Sequence, residues 1–207
     1  MRVRIKICGI TRLEDALAAA ELGADALGFN LWPGSPRFVA PEAAREIVSR
    51  LPPFVTPVGV FVNQPRAEVM RLAAAAGVAL VQLHGDEPPP DCEGLGLPVI
   101  KAFRVAGAED LAAIPAYRSV AAVLLDSRSD GFGGSGRAFD WELAHRAAGP
   151  RPLVLAGGLG PGNVARAIRA VRPFAVDAAT GLESSPGVKD RERMALFVRA
   201  VEEASAP

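Results

Sequence analysis

The chain has 207 residues, half of them hydrophobic, and its 23 basic residues balance its 23 acidic ones. That length and balance fit one soluble domain spanning 1–207 and lack the basic excess that nucleic-acid and anionic-membrane binders carry. The longest apolar stretches, such as 72–81, fall short of the ~20 residues that cross a bilayer, and Gly9 interrupts the start too early for a signal peptide, so a cytoplasmic protein is expected.

In chain order, the first strand is expected over 4–9 (RIKICG). Thr11-Arg12-Leu13-Glu14 reads as a capping box opening a helix over 13–22, which Gly23 closes. ALGFNL (26–31) precedes a helix over 41–51, and PVGVFV (57–62) one over 67–76. LVQLHG (80–85) leads to a weaker helix over 89–95, and VIKAFRV (99–105) to one over 108–117. AAVLLDS (121–127), PLVLAGG (152–158) and FAVDAAT (174–180) are followed by helices over 141–148, 162–171 and 191–204. Every strand thus has a helix after it, and the strand centres are continuously apolar, as in a parallel sheet covered by helices. Eight units of about 26 residues each approach the lower limit of a closed (β/α)8 TIM barrel. A doubly wound open sheet competes, but the first βα turn, Cys-Gly-Ile-Thr, lacks its G-x-G-x-x-G fingerprint.

In an α/β barrel the chemistry sits where the strands end. Those positions are polar here: Cys8, Asn30, Arg37 in the loop Pro33–Arg37, Asn63, Gln82, His84, Asp86, Arg104, Asp126, Ser127, Arg128 and Asp177. Gly157-Gly158 after strand 7 and Thr180-Gly181 after strand 8 let backbone N–H groups approach an anion, so a phosphate monoester is expected there. The alternative is a pair of tight turns. The GFGGSGR stretch (131–137) lacks the Lys-Ser/Thr ending of a Walker A loop and reads as a mobile loop beside the site.

Cys8 stands at a strand end before a helix, whose N-terminus is expected to ease loss of the thiol proton. Asp126 closes an apolar strand, and a thiol and a carboxylate on different strands suit a base and an acid. Cys92, in a Pro-bounded acidic segment, reads as a small buried hydrophobe, and two cysteines make no disulfide framework. His84 with Asp86 and Glu87 lacks metal-ligand spacing, so no metal is expected. His84 either touches substrate or bonds a neighbouring loop; His145 reads as a surface or packing residue. With 20 Arg against 3 Lys, few amides and 18 Pro, the composition suits either a thermostable protein or a GC-rich genome.

Lys6-Ile7-Cys8-Gly9-Ile10-Thr11, Gln82-Leu83-His84-Gly85, Leu125-Asp126-Ser127, Gly133-Gly134-Ser135-Gly136, Phe139-Asp140-Trp141 and Leu155–Leu159 come in one order over the whole chain. With these motifs the chain resembles the phosphoribosylanthranilate isomerases of tryptophan biosynthesis. The resemblance implies a small (β/α)8 barrel that carries out an Amadori rearrangement without cofactor or metal. It places the general base on Cys8 and the general acid on Asp126, and sets Arg37 against the anthranilate carboxylate. His84, Asp177, Gly157, Gly158, Thr180 and Gly181 complete the expected substrate-binding set. Asp177-Ala178-Ala179-Thr180-Gly181 stands where the family commonly has Asp-Val-Ser-Ser-Gly, which removes one hydroxyl from the phosphate turn, and Arg137-Ala138 replaces a frequent Lys-Thr. A pentose-phosphate epimerase or a non-catalytic phosphate-binding barrel are the competing readings. The apolar loop Leu51-Pro52-Pro53-Phe54-Val55 suggests a homodimer.

Overall fold

Eight parallel strands close into a barrel in sequence order in a computed structural model that describes residues 2–127, 141, 144 and 149–205. The strands are β1 (Arg4–Cys8), β2 (Ala26–Asn30), β3 (Thr56–Phe61), β4 (Leu80–Leu83), β5 (Val99–Val105), β6 (Ala122–Ser127), β7 (Leu153–Leu155) and β8 (Ala175–Ala178). The α-helices whose bounds lie among the described residues are α1 (Leu13–Glu21), α2 (Pro41–Val48), α3 (Arg66–Ala76), α4 (Val164–Val171) and α5 (Arg191–Ser205). Arg128, the 131–137 loop, Ala138 to Asp140 and His145 lie outside the described residues, as does most of the helix expected over 141–148. Trp141 and Ala144 are helical.

The helices bury a stripe at i, i+3, i+4 and i+7: Val69, Leu72, Ala73 and Ala76 on α3, Val164, Ala167, Ile168 and Val171 on α4, Met194, Phe197, Val198 and Val201 on α5. A fully buried side chain such as Phe197 contributes about 1.5–3 kcal/mol of apolar transfer. These stripes pack on the outward residues of the strands, among them Ile5, Ile7, Leu27, Phe29, Leu125 and Val176. The inward residues form a second cluster, with Ile100, Ala102, Leu124, Val154 and Ala175. Period-2 alternation therefore sends Lys6 and Cys8, Gly28 and Asn30, Gln82, Asp126 and Asp177 into the barrel.

Three sequence expectations are corrected. Thr11 does not cap α1: Arg12 occupies the N-cap without a side-chain hydrogen bond, Thr11 Oγ1 donates to Gly187 O at 2.5 Å, and Glu14 pairs with Arg12. A tertiary acceptor has won over the local one. The helices expected over 89–95 and 108–117 are single 3₁₀ turns, Pro89–Cys92, Ala108–Leu111 and Ile114–Ala116: Gly94 and Gly96, at φ +61° and +73°, stop the first, and Pro115, inside the second run, lacks the backbone donor a continuous helix needs. Not every strand is followed by an α-helix. After β8 the chain also makes a small antiparallel hairpin, β9 (Glu183–Ser185) and β10 (Val188–Lys189), turned at Gly187 with φ +80°.

Candidate active site

A cavity at the C-terminal ends of the strands is lined by the nine residues expected to be catalytic or substrate-binding, Cys8, Arg37, His84, Asp126, Gly157, Gly158, Asp177, Thr180 and Gly181, together with Asn30 and Gln82. Asn63, Asp86, Arg104 and Ser127 are not among its lining. The nine come from six separate βα units, so only barrel closure assembles them.

The strand registers set the floor. Lys6 pairs across the sheet with Asp177, and Cys8 with Gly28. Lys6 Nζ donates to Asp177 Oδ2 at 2.8 Å, both groups being buried, while Asp177 Oδ1 is buried with no partner among the described residues. Burial pushes the Cys8 thiol above its ordinary range; Lys6 pulls it down, Asp177 pushes it up, and Lys189 pulls it down. The expectation of an eased thiol is thus corrected in direction, because desolvation outweighs the neighbouring positive charges. Burial works against the Lys6 ammonium too, but Asp177 and then Cys8 hold it above the ordinary lysine range.

On the opposite wall, Gln82 Nε2 donates to His84 Nδ1 at 2.8 Å, which assigns the proton to Nε2, and Nε2 donates to Asp126 Oδ2 at 3.1 Å. His84 therefore bonds Asp126 rather than a neighbouring loop. Asp126 Oδ1 faces Gly157, whose φ is +86°; a Cβ there would come within 3.0 Å of Oδ1 and strike the Ser127 amide. Behind His84, the Glu87 carboxylate accepts from Asn63 N at 2.8 Å, Gly85 N at 2.9 Å and Lys101 Nζ at 2.7 Å, fixing the β4 loop.

Arg37 is placed by its own loop and by the hairpin. Asn30 Nδ2 donates to Ser35 Oγ at 2.9 Å, and Ser35 Oγ accepts from Arg37 N at 3.1 Å. The guanidinium then meets Glu183 through Nε at 2.9 Å and Nη2 at 2.7 Å, and Thr180 Oγ1 through Nη2 at 3.0 Å. Lys189 Nζ donates at 2.8 Å to Glu183 Oε1, the oxygen that also accepts from Arg37 Nε. Burial would raise the Glu183 carboxyl, yet Arg37 and Lys189 hold it below the ordinary range. A bidentate carboxylate clamp fixes the plane of an arginine fork, so Glu183 orients Arg37.

Lys6, Glu87 and Glu183 were not singled out as functional from sequence, and Gln82 appeared only among the polar strand-end positions, with no role. Lys6 had a usable signal, a charge at period 2 from Cys8 in an apolar strand, and Gln82 had the same relation to His84. Cys92 is buried as expected, its Sγ 3.7 Å from Pro88 O, and burial pushes it up to about 11. Among the described residues no group of three His, Cys, Asp or Glu is placed to hold a metal ion, and no helix is long and apolar enough to cross a membrane.

A family profile described as N-(5'phosphoribosyl)anthranilate (PRA) isomerase matches residues 5–200. The N-(5'-phosphoribosyl)anthranilate isomerase of Geobacter sp. (strain M21) is 54% identical over 196 residues, covering 94% of this chain and 96% of that one. The phosphoribosyl anthranilate isomerase of Thermotoga maritima superposes with a TM-score of 0.91 at 45% identity, covering 97% and 99% of the two chains. Monomers generated from that dimeric enzyme give 0.86 at 41%, with the same coverage. An isomerase of this kind in complex with reduced 1-(o-carboxyphenylamino)-1-deoxyribulose 5-phosphate gives 0.87 at 43%, again covering 97% and 99%. With a profile matched over nearly its whole length and relatives this similar, the chain belongs to the N-(5'-phosphoribosyl)anthranilate isomerase family.

Proposed function

We propose that the chain isomerises N-(5'-phosphoribosyl)anthranilate, with Asp126 as general acid and Cys8 as general base. The observation that carries this reading is the convergence of a carboxyl and a thiol from different strands on one cavity, beside an arginine and two glycine turns. His84 holds Asp126 Oδ2, leaving Oδ1 to carry the proton. Oδ1–H protonates the furanose ring oxygen; the C1′–O bond breaks, and the anilino nitrogen lone pair forms the C1′=N bond of a Schiff base. The Cys8 thiolate takes the C2′ proton, and the freed electrons form the C1′=C2′ bond of an enolamine. Tautomerisation moves a proton to C1′ and leaves the C2′ ketone. Both proton transfers use side chains of this chain, and the scheme involves no metal or redox group.

The binding roles follow the same geometry. Backbone N–H groups at Gly157, Gly158, Thr180 and Gly181 suit the phosphate, which does not need the hydroxyl that Ala179 lacks. Asp177 Oδ1, buried at the cavity with no partner among the described residues, suits a sugar hydroxyl. Arg37, oriented by Glu183, suits the anthranilate carboxylate. Arg37→Ala is expected to raise KM by roughly 10- to 100-fold with kcat nearly unchanged, as losing a charge-assisted bond of about 1.5–3 kcal/mol requires. Initial-rate titration with substrate checks this.

The activity is tested by following the fluorescence of freshly generated N-(5'-phosphoribosyl)anthranilate with a chelator present. The reading requires turnover; a folded sample that is inactive, or that needs a divalent metal to recover, overturns it. Two free thiols suit a reducing compartment, which supports a cytoplasmic enzyme.

A homodimer is supported by Phe54, in the loop between α2 and β3. This side chain is fully exposed, and its backbone sits at φ +73°, a strained value for a bulky residue. Light scattering at micromolar concentration is expected to give a dimer for the wild type and the 21.6 kDa monomer mass for Phe54→Lys. A monomeric wild type rejects the dimer.

A further inference from the structure

We propose that Lys6 is a positioning residue for the reaction, its ammonium held beside Cys8 by Asp177 as the fixed counter-ion of the thiolate base. The proposal rests on the reading of Cys8 as the base and names what makes that thiol ionisable inside a barrel.

Lys6 and Cys8 are two residues apart on β1, so both side chains enter the barrel, at successive levels. Their neighbours differ by register. Across from Lys6 on β8 is Asp177, whose Oδ2 takes one ammonium proton at 2.8 Å. Across from Cys8 on β2 is Gly28, which has no side chain to separate the two groups. A Cβ at Gly28 would lie 2.6 Å from Cys8 Sγ and 3.1 Å from Lys6 Nζ, so sulfur and nitrogen face each other across the space that this glycine leaves open. An ammonium has three donors, and Asp177 uses one.

Stability alone does not account for the arrangement. Desolvating a lysine and an aspartate costs about as much as their attraction returns, and apolar residues of similar volume commonly do as well. The pair is moreover incomplete, since Asp177 Oδ1 has no partner among the described residues. What the pair provides is a positive charge that cannot move away from the sulfur. The charged groups facing Cys8 are Lys6 on its own strand, Asp177 on β8, Lys189 on β10 and Arg37 from the β2 loop. Burial drives the thiol up, and of these neighbours Lys6 opposes it most. During turnover the ammonium keeps its proton; only the sulfur gains and loses one.

The test is a thiolate titration by ultraviolet absorbance and by the pH dependence of alkylation, in a Cys92→Ala background. Lys6→Met is expected to raise the Cys8 midpoint by about 1 to 3 pH units, the range for an opposite charge within ion-pair reach. At neutral pH kcat should fall by about 10- to 1000-fold in step with the thiolate fraction, with little change in KM, and the acidic limb of the kcat–pH profile should move up with the midpoint. An unchanged Cys8 midpoint in a folded Lys6→Met protein overturns the proposal.

If a buried, unpaired Asp177 prevents that variant from folding, Lys6→Met/Asp177→Asn removes both charges. Its midpoint should lie above wild type, because Lys6 acts on the thiol more strongly than Asp177 does. A midpoint at or below wild type overturns the proposal. The thiol titration reads Lys6 without any turnover, so it is separate from the assignment of the base: a Cys8→Ser enzyme with wild-type kcat overturns that assignment whatever the titration shows.

Discussion

Cys8→Ser is expected to lower kcat by about 10²–10⁴-fold, the worth of a positioned proton-transfer group, while changing KM far less. The hydroxyl fits the space beside Gly28, so the variant should fold with near wild-type stability. It fails on acidity, since an alcohol does not supply an anionic base near neutral pH even with Lys6 beside it. The wild-type enzyme should show the complement: because burial holds the thiol above its ordinary range, kcat rises with pH until the thiolate is formed. Steady-state kinetics across pH, with wild type and variant compared at saturating substrate, check both statements. Near wild-type kcat in Cys8→Ser would return Cys8 to a packing role and move the search for the base to Asp177.

Asp126→Asn is expected to cost a similar factor of about 10²–10⁴ in kcat by a different route. The amide keeps the shape of the carboxyl and, with its oxygen toward His84 Nε2, keeps that bond as well, so binding and fold should change little. It has no acidic proton to give to the ring oxygen. The loss should therefore appear in kcat, and ring opening becomes the slow step. A substrate analogue already in the open form separates the two variants: Asp126→Asn should process it with most of its rate restored, and Cys8→Ser should not. A variant Asp126→Asn enzyme within a few-fold of wild-type kcat on the closed substrate contradicts the assignment.

Much of this site follows from strand periodicity. Once β1, β6 and β8 are taken as parallel strands of a barrel, alternate residues must face inward, and Cys8, Asp126 and Asp177 are the polar inward residues near their ends. The glycine turns after β7 and β8 are equally local, because their chain positions alone set them beside those residues.

What the sequence leaves hidden is carried by contacts between distant segments. Glu183 comes to Arg37 from a hairpin with no repeat or alternation to announce it, formed by two very short strands around Gly187. The same hairpin takes the Thr11 hydroxyl, which is why a well-formed capping motif does not cap. The segments 89–95 and 108–117 have helical spacing, but Gly94 and Gly96 at positive φ stop the first and Pro115 interrupts the second. For Cys8 the local argument from a helix N-terminus gives a sign opposite to that set by burial, a quantity that depends on the closed barrel.

The most direct measurement of the whole account is a crystal structure of this enzyme with reduced 1-(o-carboxyphenylamino)-1-deoxyribulose 5-phosphate, the compound bound by one of its structural relatives. The phosphate is expected within hydrogen-bond distance of backbone N–H groups at Gly157, Gly158, Thr180 and Gly181. The benzoate carboxylate should lie on Arg37, the hydroxyl derived from the ring oxygen beside Asp126, and C2′ should be the carbon nearest Cys8 Sγ. A ligand bound with its phosphate away from both glycine turns, or with C2′ out of reach of Cys8 Sγ, would contradict it.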